Sequence, residues 1–307
     1  MDIFLQQIIN GLVQGSIYAL VALGYTTVYG ILGLINFAHG EVVMIGTLVT
    51  ITVAGSLIKA GMPVTLAGLA GVSVSVMVCM ALGWGLERIA YRPLRNAPRL
   101  TPLITAIGMS IVLQNMAMII WGRNYMTFPP LLPKMNFEVA GAHFTAVQVI
   151  IVLVSTLTMA GLLLLVYRTK LGMAMRATAQ NPAVASLMGV NINRVIAAAF
   201  VIGSALGAVA GVMVGTYYEI AHYQMGFMLG LKAFTAAVLG GIGNLGGAMA
   251  GGILLGLIEA LGAGYIGDLT GGFLGSHYQD IFAFIVLIVV LMFKPSGLFG
   301  EKTGDRA

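Results

Sequence analysis

Apolar positions in this chain run in long blocks instead of alternating with polar ones. A helix that crosses the hydrocarbon of a bilayer needs about 20 mostly apolar residues. Blocks of about that length lie near 8–30, 40–58, 64–86, 102–121, 146–167, 195–217, 245–264 and 280–293. A further block, 229–241, is apolar but short, and either spans or re-enters as a half-helix. The pattern predicts an all-α, polytopic integral membrane protein with eight to nine transmembrane helices, including broken or half-helix segments. The longest polar stretches are 122–145 and 168–194. Neither can hold a soluble domain, so residues 1–307 are expected to form a single transmembrane domain.

Composition sharpens this picture. Of 307 residues, 59% are hydrophobic and 8% charged, against about 25% charged in a soluble domain. That excludes a soluble globular enzyme, a disordered chain and a nucleic-acid binder; the expected surroundings are membrane lipid. The net charge of +5 rests on few residues and carries no argument for a nucleic-acid partner. The single Cys79 excludes a disulfide framework and a cysteine-ligated metal site. His39, His143, His222 and His277 are scattered, so no metal site is expected. The chain contains no G-x-x-x-x-G-K-[ST], H-E-x-x-H or G-x-S-x-G. ATP hydrolysis and the usual hydrolase chemistries are therefore not expected on this chain, and no cofactor is.

The placement of basic residues predicts an orientation. Arg88, Arg92, Arg95 and Arg99 crowd one loop, Arg168, Lys170, Arg176 and Arg194 a second, and Lys294, Lys302 and Arg306 lie at the end. The remaining loops hold only Lys59, Arg123 and Lys134. Positive loops stay cytoplasmic, which puts the N-terminus outside and the C-terminus inside and calls for an odd number of crossings. Met1–Asn10 has no Lys or Arg, so no cleavable signal peptide is expected.

Four features carry candidate chemistry. The segment Gly33–Glu41 places Asn36, Phe37, His39, Gly40 and Glu41 between the first two spans. It is either a turn anchored at the membrane surface or a broken helix whose backbone lines a pathway. The second feature is Lys232–Gly247, in which glycines occupy 240, 241, 243, 246 and 247. Each glycine costs a helix roughly 1 kcal/mol relative to alanine, so the stretch reads either as a hinge between a half-helix and the next span or as tight helix packing without a role in transport. The two segments together fit matching breaks in two halves of an inverted repeat. The third is Gly203, Gly207, Gly211 and Gly215, spaced by four on one face of a helix. Such a stripe lets backbones approach closely, within the chain or between subunits.

The fourth feature is Asn181–Gly189, which reads as a miniature helix. Asn181 suits the N-cap, Pro182 the first helical position and Gly189 the left-handed stop. Under two turns is too short to be stable alone. Val184, Leu187 and Met188 would suit either a groove on a soluble partner or the membrane surface. Lys232 and Glu259 are charges in or near apolar runs that either line a pathway, pair, or snorkel. Glu219, His222, Asp268 and Asp280 fall at predicted outer ends and are expected to be solvated.

Three stretches carry a resemblance: Ile35-Asn-Phe-Ala-His-Gly-Glu41, Lys232-Ala-Phe-Thr-Ala-Ala-Val-Leu-Gly-Gly-Ile-Gly243 and Phe293-Lys-Pro-Ser-Gly-Leu-Phe-Gly300. Through them nearly the whole chain resembles the LivH-type permease subunit of bacterial ABC importers for branched-chain amino acids. The resemblance implies a location in the bacterial inner membrane and inward movement of leucine, isoleucine and valine by alternating access. It implies a second homologous permease subunit, two cytoplasmic ATPase subunits that carry the ATP and Mg, and a periplasmic solute-binding protein. It also implies a coupling role for the loop 168–194. Permeases of ABC importers carry Glu-Ala-Ala-x-x-x-Gly, and the matching stretch here is Ala183-Val184-Ala185-x-x-x-Gly189. Ala183 replaces the Glu and Val184 the first Ala, a departure that bears on any Glu-mediated contact. A different class of reading is a self-sufficient secondary transporter or channel for a small polar or amphipathic solute, such as urea or short amides.

Overall fold

The apolar blocks become helices whose ends fall where glycine and polar signals interrupt them. A computed structural model describes residues 2–95, 97–98, 100–132, 135–139, 141–269 and 279–300. The helices are α1 (Asp2–Leu32), α2 (His39–Lys59), α3 (Val64–Leu86), α4 (Leu100–Trp121), α5 (Ala146–Arg168), α6 (Lys170–Gln180), α7 (Pro182–Leu187), α8 (Ile192–Tyr218), α9 (Met225–Gly240), α10 (Leu245–Leu269) and α11 (Gln279–Phe293). Among the described residues seven helices are long and apolar enough to cross a membrane, and α9 and the apolar part of α11 are shorter. This agrees with eight to nine segments. The short block begins at Met225, four residues before the predicted 229, because the chain has already turned inward there.

Two elements of the long polar loops were not predicted. One is α6, started by Thr169, whose side chain accepts from Gly172 N–H at 3.0 Å. The other is a pair of two-stranded antiparallel ladders. In the first, β1 (Met126–Thr127) pairs with β4 (Ile220–Ala221); in the second, β2 (Asn136–Val139) pairs with β3 (Ala142–Thr145). The ladders lie at one end of α8, beyond Tyr218, and α6 and α7 lie at the other.

The core forms around α1, whose Ala19–Leu23 are fully buried. In lipid no hydrophobic force drives helices together, so close packing of small residues does. Gly11 and Gly15 of α1 face Gly252 and Gly256 of α10: a methyl built on Gly15 would lie 2.7 Å from Ile253 Cα, and one on Gly11 2.8 Å from Leu257 Cα. A methyl on Gly256 would overlap the backbone of Gly15. Gly203, Gly207, Gly211 and Gly215 make a second seam within the chain, packing α8 on α1 and α2, where Thr47 Oγ1 donates to the Gly211 carbonyl at 2.8 Å.

The α1–α10 seam gives a prediction. Gly256→Leu pushes a side chain into backbone that has no room to give, and such overpacking costs about 3 kcal/mol. It should sharply reduce the yield and Tm of monodisperse protein. Gly161→Leu, where a side chain meets open space, should leave both unchanged. Equal Tm values for the two variants would refute this seam.

Candidate functional site

The first break is not at the surface. α1 ends at Leu32, Gly33 adopts φ +64°, and the chain turns back into the bundle before α2 begins at His39. His39 lies beside Gly24 and Tyr25, its ring edge-to-face with Tyr25 at 4.9 Å. That is about two helical turns back from the end of α1. The ring fits there because Gly24 and Gly207 have no side chains: a methyl on Gly24 would overlap it, and one on Gly207 would lie 3.3 Å away. Asn36, His39 and Glu41 are all buried. Asn36 Oδ1 accepts from Tyr91 O–H at 2.7 Å, and Glu41 Oε1 from Ser110 O–H at 3.0 Å. The segment is therefore a break buried inside the bundle and not a turn at the surface.

The half-helix α9 meets this break along its length. Gly40 packs on Gly226 and Gly230, where a methyl on Gly40 would lie 2.9 Å from Gly230 Cα. Further along, Phe37 contacts Phe234, with ring centroids 5.7 Å apart. The starts of α2 and α9 thus face each other inside the bundle. Glu41 lies in the first turn of α2, and its Oε2 is directed at Gly226 in the first turn of α9. Helix N-termini carry partial positive charge, which a carboxylate between them offsets.

The second break joins α9 to α10. Gly241 and Gly243 take φ +106° and +97°, conformations that favour glycine. Gly240 and Gly247 are in backbone contact, so neither has room for a side chain. Gly246 has no such demand; it sits in the first turn of α10 with little around it. Asn244 starts α10 by accepting from Gly247 N–H at 3.0 Å. The third stretch that carries the resemblance, 293–300, closes the break. Leu298 and Phe299 donate their N–H groups to the Leu239 and Gly240 carbonyls at 2.9 and 3.0 Å, and Asn244 Nδ2 donates to the Phe299 carbonyl at 3.0 Å. The carbonyls left open at the C-terminus of α9 are thereby satisfied.

Lys232 and Glu259 form a pair between α9 and α10: Nζ lies 3.2 Å from Oε2. Tyr18 O–H donates to the same oxygen at 2.8 Å. Gln14 Nε2 bonds the hydroxyls of Tyr18 and Tyr218 at 3.1 and 3.2 Å, extending the network to α8. Of the four groups expected to be solvated, Glu219 is exposed. His222 is not: it is half-buried, stacked on Tyr125 at 4.6 Å and bonded to the Arg123 carbonyl at 3.0 Å, because β4 folds against β1. The side chains of Asp268 and Asp280 lie outside the described residues, as do His277, Arg99, Lys134, Lys302 and Arg306.

At the opposite end, α7 has the geometry its sequence specifies. Asn181 Oδ1 accepts from Val184 N–H at 3.1 Å. Gly189 takes φ +86°, and Gly189 and Val190 donate to the Ser186 and Ala185 carbonyls at 3.0 and 3.1 Å, a Schellman stop. Ala185 is buried against the chain, while Val184, Leu187 and Met188 are 52%, 86% and 81% exposed. Nearby, buried Glu87 binds both Arg92, at 2.8 Å, and Arg95. Arg95 also donates to Asn193 Oδ1 at 2.6 Å, which ties the first basic loop to the start of α8. Glu87 was not singled out from sequence; a lone acid five and eight residues before two arginines is the signal that finds it.

Comparison with known proteins gives a consistent result. The family described as "Branched-chain amino acid transport system / permease component" matches residues 7–291. The chain is 48% identical to the high-affinity branched-chain amino acid transport system permease protein BraD of Pseudomonas aeruginosa, over 99% of this chain and 98% of that one. It is 45% identical to the corresponding permease protein LivH of Escherichia coli, over 99% and 97% of the two chains. A probable branched-chain amino acid transport permease protein LivH of Methanocaldococcus jannaschii is 27% identical, over 97% and 94%.

Proposed function

The chain belongs to the family of branched-chain amino acid transport permease components, and from that premise we propose that it is the membrane-spanning subunit of an ATP-driven importer for leucine, isoleucine and valine. ATP and Mg are held by two separate cytoplasmic ATPase subunits. A second homologous permease completes the pathway, and a periplasmic binding protein delivers the cargo. The N-terminus faces out and the C-terminus in, so α6 and α7 lie on the cytoplasmic side of the inner membrane.

The observation that carries this reading is α7. It is capped at both ends, yet its apolar residues Val184, Leu187 and Met188 point away from the chain. An apolar face of that kind on a helix of six residues fits a groove on a soluble partner, with Asn181, Pro182, Ala183 and Ala185 shaping the helix and Gly189 ending it. Motion there has a short route inward. Three residues beyond Gly189, α8 begins its run of 27 residues, about 40 Å. Its glycine stripe lies on His39, Val43 and Thr47 at the first break. A shift of α7 on ATP closure thus reaches the discontinuous α2 and α9 through one rigid helix. These are the elements whose rearrangement would open the pathway on one side and close it on the other.

Purification of the tagged protein from its own membranes in mild detergent tests the reading. Mass spectrometry should find P-loop ATPases and a second hydrophobic permease in stoichiometric amounts. Recovery of this chain alone, in a detergent shown to preserve known complexes, would overturn it.

A further inference from the structure

Between α1, α8 and α9, a cavity of about 250 Å³ opens toward the end of the bundle that carries β1 and β4. Its two sides differ chemically. Val214, Met228 and Leu229 give it an apolar wall, while Lys232, Tyr18 and Tyr218 give it a polar floor. Tyr125, stacked on His222, forms part of the rim. Lys232 is held in place from behind. Its ammonium lies 3.2 Å from Glu259 Oε2 and 3.3 Å from the Tyr18 hydroxyl, and Glu259 is fully buried. The side chain of Lys232 keeps 12% of its surface exposed, and it is this part that meets the cavity. A charge inside a transmembrane bundle is expensive and is by default a candidate for function.

The ligand chemistry follows from that division. The ammonium, already paired with Glu259, turns its exposed part to the cavity, where a compact anionic group can share it, and the apolar wall suits a small aliphatic body beside it. Ligand pockets for drug-sized molecules run from about 300 to 1,000 Å³, so this cavity suits something smaller. We propose that it is a binding site for the transported amino acid, with Lys232 receiving the α-carboxylate and Glu259 positioning Lys232. Tyr18 is fully engaged with Glu259, Gln14 and Lys232, so the α-ammonium falls to the Tyr218 hydroxyl oxygen, which accepts from Gln14 and has a second lone pair. The wall of Val214, Met228 and Leu229 takes the branched side chain. A neutral amide offers Lys232 a carbonyl oxygen but no negative charge, so the site favours free amino acids over amides. The choice of cargo rests on the functional reading above; the carboxylate contact is new.

The test uses the intact permease–ATPase assembly in lipid nanodiscs, without the binding protein. Radiolabelled leucine should bind saturably, and leucinamide should compete at least 10-fold more weakly than leucine. Lys232→Gln should weaken leucine binding at least 10-fold and abolish the difference between leucine and leucinamide. Because Lys232→Gln also removes the cation beside buried Glu259, a second variant leaves the pair intact. Met228→Trp fills the cavity, and it should lose leucine binding with no change in Tm. No saturable binding to the wild type, equal competition by leucinamide, or leucine binding unchanged in both variants would overturn the proposal. If the complete wild-type importer still takes up leucine, such a result strikes the site and leaves the functional reading standing. A wild-type importer that takes up no branched-chain amino acid strikes both.

Discussion

Leu187→Asp is expected to leave the protein folded in the membrane and to cut ATP-driven leucine uptake at least 30-fold. Leu187 is 86% exposed, so the change costs the fold little; surface substitutions of this kind stay within about 0.5 kcal/mol. In a groove on an ATPase the same carboxylate would be buried without a partner. Loss of a central apolar contact at an interface costs about 2 kcal/mol or more, which corresponds to roughly 30-fold. Gly189→Pro should act alike by another route. Proline fixes φ near −65°, whereas Gly189 sits at +86°, and its N–H, which bonds Ser186 O at 3.0 Å, would be gone. The readouts are Tm, ATP hydrolysis and uptake by the reconstituted importer. Hydrolysis uncoupled from uptake is the expected pattern, at an unchanged Tm for Leu187→Asp. Wild-type uptake in both variants would remove α7 from the coupling route.

The second large effect is expected at Glu41. Its carboxylate accepts from Ser110 and stands between the first turns of α2 and α9. Removing it leaves the buried Ser110 hydroxyl without its acceptor, which costs about 1–3 kcal/mol. Glu41→Ala should lower Tm and reduce uptake at least 10-fold, because it empties the space between the first turns of α2 and α9 and strips Ser110 of its acceptor. Glu41→Gln keeps the volume and one acceptor, and should fall between. Replacing Asn36, His39 and Glu41 together with alanine should abolish uptake, since that also removes the Tyr91 bond and the ring seated against Gly24. Normal transport kinetics in the triple variant would show that the break plays no part in gating.

The structure shows how far local sequence reaches. Asn181, Pro182 and Gly189 specify α7 through caps that act within a few residues, so its geometry was legible. The glycines at 241 and 243 mark a turn for the same reason. Spacing by four identified the 203–215 stripe, and it recurs through Gly11, Gly15 and Ala19 and through Gly252, Gly256 and Ala260. Both faces of the α1–α10 seam are therefore written in the chain, but nothing local says which stripe meets which. Long-range pairs were illegible for the same reason. Tyr91 on Asn36, Ser110 on Glu41, and Tyr18 on Glu259 join residues 55, 69 and 241 positions apart. The burial of His39 follows from the chain folding back after Leu32, and no periodicity marks an extended stretch inside a bundle. The role of 293–300 was hidden likewise: it repairs carbonyls exposed at 239 and 240, a need visible only once α9 is seen to end there.

The central claim is that this chain carries branched-chain amino acids only as part of an ATP-driven assembly. The most direct measurement is leucine accumulation in proteoliposomes, with the chain alone and with its sister permease, ATPases and binding protein. Accumulation that needs all components and ATP, and that persists when ion gradients are collapsed, is the predicted result. Accumulation by this chain alone, driven by an ion gradient without ATP, would contradict the account and make the protein a secondary transporter.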